Sequence, residues 1–148
     1  MPVRGGKALF SNVKKKYVSD VEFIQPHMRR ADVTNAPLLS MEETLERMSG
    51  DRELLVSLFQ LFVSDAPKKL EKMDACSAER DLFGVERTAH SLKGASATVG
   101  ASQLCEIAAE TERAAKAGSW DDVDRLRRDL DRVCGQTLEA MREFCGGS

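Results

Sequence analysis

The chain has 148 residues, 42% of them hydrophobic and 31% charged, with a formal net charge of −2 at pH 7. That length gives one domain with room for a proper core. No stretch approaches the roughly 18 apolar residues that cross a bilayer, and no apolar run follows the charged N-terminus as in a secretory signal. The expectation is a cytoplasmic protein with no membrane insertion.

Residues 1–39 read as a leader. They hold Gly5-Gly6, Pro26, Pro37 and the triplet Lys14-Lys15-Lys16, with short apolar groups between. Seven Lys and Arg stand there against three Asp and Glu, a net +4 that leaves −6 for the remainder. We read this segment as flexible and mostly irregular, with solvated lysines and no nucleic-acid partner. His27 lies between Pro26 and Pro37 and receives no role.

From residue 40 the pattern is helical. Ser40-x-x-Glu43 has the form of a capping box, opening a short helix to about Met48, with Gly50 placed to stop it. Asp51 then caps a long helix to about Cys76, whose inward stripe reads Leu55, Leu58, Phe62, Ala66, Leu70, Met73. Pro67 inside it predicts a kink without a break. Asp81 caps a third helix, ended by Gly100. A fourth turns Leu104, Ala108, Thr111 and Ala115 inward and stops at Gly118. Ser119-x-x-Asp122 caps the last, lined by Val123, Leu126, Leu130, Val133, Thr137 and Met141. No alternating β-branched run follows residue 40. The expected fold is all-α: an antiparallel up-down four-helix bundle over residues 40–145, one end covered by the short helix, with 146–148 a frayed tail. Cys76, Cys105, Cys134 and Cys145 form no CxxC pair and read as reduced apolar fillers.

The third helix carries the chemistry. At 100° per residue, Leu82, Val85, Ala89, Leu92, Ser96 and Val99 gather on one side. Phe83, Glu86, Arg87, His90, Lys93, Gly94 and Ala97 gather on the other, within about 60° of His90. A solvated helix face is usually filled with Glu, Lys and Gln. This one has bare backbone at Gly94 and a methyl at Ala97 just beyond the histidine. Glycine there costs the helix roughly 0.5–1 kcal/mol relative to alanine and gives access in return. A nucleophilic imidazole with a cation one turn away and open space in front of it suits the uptake and release of a phosphoryl group. Phe83 offers a partner an apolar handle.

The run His90-x-Leu92-Lys93-Gly94-x-Ser96-x-x-x-Gly100, with a proline in the helix before it and Asp81 nine residues upstream, resembles the histidine-containing phosphotransfer (HPt) domain of bacterial phosphorelays. The likeness covers Ser40 to about Phe144. It implies a four-helix bundle and a phosphoryl carrier that exchanges the group with receiver-domain aspartates. His90 is then the phosphorylated residue, Lys93 the cation for the phosphoryl oxygens and Gly94 the clearance position. The family places Gln or Glu twenty-two residues after the histidine, here Glu112, where it would orient the imidazole. Phe83, Glu86, Arg87, Gly94 and Ala97 would meet the partner. The resemblance implies no intrinsic cofactor or metal, with Mg²⁺ brought by the receiver. It also implies receivers and a hybrid histidine kinase as partners, a monomer, and no kinase activity of its own. It does not account for the leader. Three other readings stand beside it: a fragment of a hybrid or chemotaxis-type histidine kinase, a helical interaction module that is never phosphorylated, and a metal-binding bundle. The last is poorly served by one outward histidine.

Overall fold

The computed structural model describes residues 35–146. The chain divides into two compact units, Met1–Pro37 and Leu38–Ser148. Of the first, only residues 35–37 are described, and they form neither helix nor strand. The expectations for the rest of the leader, His27 included, and for Gly147 and Ser148 lie outside the described residues.

The second unit contains five helices: α1 (Met41–Arg47), α2 (Arg52–Ala78), α3 (Leu82–Thr98), α4 (Ser102–Lys116) and α5 (Trp120–Gly146). No strand occurs among the described residues. α3 packs against α2 and α4, and α5 packs against the same two helices, while α1 touches α2. No helix among the described residues is long and apolar enough to cross a membrane.

Three helix starts are capped by short polar side chains. Asp51 accepts the Leu54 N–H at 3.0 Å, Asp81 that of Gly84 at 2.9 Å, and the Ser119 hydroxyl that of Asp122 at 3.3 Å. Ser40 departs from the expected capping box. Its side chain caps nothing on α1. Its hydroxyl lies instead 2.8 Å from that of Ser102 at the start of α4, and its N–H bonds the Gly100 carbonyl at 2.8 Å. Ser40 thus clips α1 to the α3–α4 turn, and that tertiary bond displaces the local one.

The helix ends share one device. The N–H of Gly100 bonds the Ala97 carbonyl and that of Ala101 the Ser96 carbonyl, with Gly100 at φ +77°. This is a Schellman ending. Gly118 closes α4 in the same way. α1 and α2 close through Ser49 (φ 56°) and Arg80 (φ 57°). Gly50 is left-handed as expected, at φ 75°, and its N–H bonds the Leu45 carbonyl at 2.8 Å; Ser49 before it shares the conformation. A left-handed non-glycine residue costs roughly 1–2 kcal/mol. At Arg80 the guanidinium lies 4.6 Å from the centre of the Trp120 ring, a cation–π contact that offsets part of that cost.

The interior is built from the stripes expected, with one exchange. Phe59, not Leu58, is fully buried on α2. Both fit helical spacing, but Phe59 completes the series 55, 59, 62, 66, 70, 73 and meets the Phe144 ring edge-on at 5.4 Å. α2 runs through Pro67 as one helix. Three buried threonines satisfy their hydroxyls on the carbonyl one turn back: Thr88 on Gly84, Thr111 on Ile107 and Thr137 on Val133. The buried Ser96 Oγ has no partner. Cys134 is buried and the other three cysteines are partly so. Burial pushes the Cys105 and Cys134 thiols up from their ordinary value.

Two close contacts fix α2 against its neighbours. Arg127 on α5 holds Asp74 on α2 through two bonds, at 2.7 and 2.9 Å, and Asp131 on its own helix at 2.7 Å. Gly84 lets α3 approach α2. A Cβ there would stand 2.5 Å from both the Cys76 Sγ and an Asp81 carboxylate oxygen.

Candidate functional site

With Val85, Ala89, Leu92 and Ser96 pointing inward, the pitch of α3 turns His90 outward. Its side chain is 67% exposed. The interior face of α4 is set by Leu104, Ile107, Ala108, Thr111 and Ala115, which brings Glu112 to its margin facing α3. The Glu112 side chain is only 10% exposed. A carboxylate so placed needs partners, and it has them. Its Oε1 accepts from the Lys93 ammonium at 2.7 Å, and its Oε2 lies 3.0 Å from His90 Nδ1.

The Lys93 bond holds the Glu112 carboxyl below its ordinary value. Burial works in the other direction, and the His90 contact adds to the lowering. Glu112 is therefore ionised at neutral pH. An ionised carboxylate can only accept, so Nδ1 carries the proton in this contact. The lone pair of the neutral ring then sits on Nε2. The chemistry available to the neutral ring is that of a nucleophilic nitrogen on an exposed imidazole whose Nδ1 side is anchored to a fixed negative charge.

The surroundings are open. A Cβ on Gly94 would meet nothing within 4 Å. Ala97 is exposed, and Phe83 is 63% exposed. The Arg87 guanidinium lies 5.5 Å from the Phe83 ring centre. Glu86, half-buried, lies on the same face. All eight residues singled out from the sequence thus lie on α3 or on the adjoining edge of α4, with His90 and Lys93 each in direct contact with Glu112.

Two residues escaped the sequence reading. The Lys116 ammonium lies 3.9 Å from the second carboxylate oxygens of both Glu112 and Glu86. Its position four residues after Glu112 was the available signal, since such pairs share a helix face. Arg47 on α1 donates to the carbonyls of Ala97 and Thr98 at 3.3 and 3.2 Å. Nothing local in the sequence links α1 to that helix end. Among the described residues no group of three or more His, Cys, Asp or Glu side chains is placed to hold a metal ion.

A family model described as "Hpt domain" matches residues 57–136. That span runs from α2 through His90 and Glu112 into α5. No curated protein and no solved structure matches the chain.

Proposed function

The chain belongs to the Hpt-domain family, whose members carry phosphoryl groups in two-component relays, and on that premise we propose that His90 is its phosphorylated residue. The donor is an aspartyl phosphate on a receiver domain. The Nε2 lone pair attacks phosphorus, the bond to the aspartate oxygen breaks, and the aspartate leaves as a carboxylate while the P–Nε2 bond forms. Run backwards, the same step passes the group to a second receiver. Positive charge gathered on the ring is met by Glu112 through Nδ1–H, and Lys93 offsets charge on the phosphoryl oxygens. Such transfers depend on positioning and electrostatics more than on covalent work by the protein. In this reading the protein is a phosphoryl carrier, and the receiver would bring the Mg²⁺.

One observation carries this reading: an exposed imidazole whose Nδ1 lies 3.0 Å from a nearly buried carboxylate, beside a glycine with nothing within 4 Å of its missing side chain. The neighbour relations of the four long helices support an antiparallel four-helix bundle over residues 40–145, with α1 over one end. Phe83, Glu86, Arg87, Gly94 and Ala97 form the docking stripe of a cytoplasmic monomer. The test is to mix the protein with receiver domains phosphorylated by radiolabel. Acid-labile, base-stable label appearing on this chain supports the proposal. No transfer from any receiver of the same organism leaves a helical interaction module.

Two substitutions sharpen it. Gly94→Glu improves helix propensity and its Cβ meets nothing within 4 Å, so thermal stability will hold or rise. It also fills the approach to His90, so transfer will fall sharply; an unchanged transfer rate would refute the clearance argument. Glu112→Ala removes the ring's anchor but leaves Nε2 in place. Transfer should slow about tenfold, the scale of one charge-assisted hydrogen bond of roughly 1.5 kcal/mol. Rapid-quench kinetics on the two proteins side by side will read the ratio, and a ratio of one removes Glu112 from the mechanism.

A further inference from the structure

Lys93 has two duties that compete for one ammonium. In this structure its ammonium is engaged with Glu112 Oε1 at 2.7 Å. To neutralise a phosphoryl group on His90, one turn away on the same face, it must turn outward and loosen that bond. Glu112 would then be a nearly buried carboxylate stripped of the partner that contributes most to holding it ionised. Uncompensated, it would gain a proton or swing toward water. Either way the ring would lose its acceptor as positive charge builds on it.

Lys116 stands ready on the other side. It is one turn along α4 from Glu112, and its ammonium lies 3.9 Å from Oε2, the oxygen that faces His90. The same ammonium lies 3.9 Å from Glu86 on α3. A lysine with no second anchor extends into water. Here a carboxylate on the opposite helix keeps it at the seam between α3 and α4. At 58% exposure, it can close a gap of about an ångström without disturbing the core. The charged groups around Glu112 are thus His90 and Lys93 from α3 and Lys116 from its own helix, with Glu86 from α3 behind Lys116.

We propose that Lys116 is a positioning residue that takes over the Glu112 carboxylate when Lys93 moves to the phosphoryl group, so that the imidazole keeps its acceptor throughout transfer. The proposal rests on the reading of His90 as the phosphorylated residue. It adds a second cation that acts through Glu112 and never touches the phosphoryl group. Glu86 is its tether.

The test follows the Glu112 carboxyl by carbon NMR as a function of pH, in protein before and after loading with phosphoramidate. That small donor forms the P–N bond at His90 and releases ammonia, so no receiver is needed. Before loading, Lys93 governs Glu112, and Lys116→Gln should change its proton affinity little. After loading, Lys116→Gln should raise that affinity about three- to tenfold, the scale of one surface charge near 4 Å. Lys116→Arg should restore the parent curve. A purely structural lysine would act equally in both states, and equal shifts, or none after loading, overturn the proposal. If the parent protein takes up no phosphoryl group from phosphoramidate or from any receiver, the reading of His90 fails and takes this proposal with it. Loading without a Lys116 effect sinks the proposal alone.

Discussion

His90→Gln will fold as the parent does and accept no phosphoryl group. The two halves of that result have separate causes. The parent ring is 67% exposed and lies on the opposite side of α3 from the interior residues Val85, Ala89 and Leu92. Its removal leaves no cavity, and glutamine is the better helix former. Substitutions at such positions usually stay within about ±0.5 kcal/mol. Glu112 keeps its stronger partner, Lys93, so no buried charge is orphaned. The amide has no lone pair of imidazole basicity to attack phosphorus, and no second histidine lies in the helical unit. Transfer should therefore fall to background, while the melting temperature and helical circular dichroism match the parent. Residual acid-labile label on the variant would move the site to another residue.

Gly100→Ala will destabilise the helical unit by about 2–4 kcal/mol and leave the chemistry of His90 formally untouched. Two costs add. The residue sits at φ +77°, where an alanine bears roughly 1–2 kcal/mol of strain. Its Cβ would also collide with the Thr44 hydroxyl and stand 3.3 Å from the Ser40 carbonyl oxygen. Neither neighbour can move freely, because Thr44 is fully buried and donates to that same Ser40 carbonyl at 2.7 Å. Relief requires α1 to lift from the α3–α4 turn, with loss of the Ser40 bonds to Gly100 and Ser102. Denaturant titration at fixed pH will measure the difference. A loss under 1 kcal/mol would mean that α1 is held more loosely than its hydrogen bonds indicate.

Gly100 also illustrates what a sequence can and cannot convey. Its role as a helix stop was legible, because a glycine after a periodic apolar run favours the left-handed ending. Its role as the floor under Thr44 was not, since those residues lie far apart in the chain and meet only when α1 folds back. The helices themselves were readable from spacing and caps, because burying a stripe and satisfying four end N–H groups are local demands. The outward aspect of His90 followed directly from helix pitch. The places where the reading slipped are those where a tertiary partner outbid a local one. Ser40 gave up the predicted capping box for Ser102, and Phe59 took the buried place expected of Leu58 by meeting Phe144. The approach of Glu112 to His90 came from family likeness. Helix geometry placed Glu112 only at the margin of the inward face, and the crossing of α3 with α4 decides the rest.

Every residue assigned to the site, from Phe83 to Lys116, lies on a single pair of consecutive helices joined at Gly100. Short sequence separations make such contacts fast to form, because little chain entropy is lost in closing them. The reactive constellation is therefore a product of local topology, with α2 and α5 supplying ballast from behind. The α2 and α5 faces need only remain apolar and well packed for that pair of helices to hold its crossing.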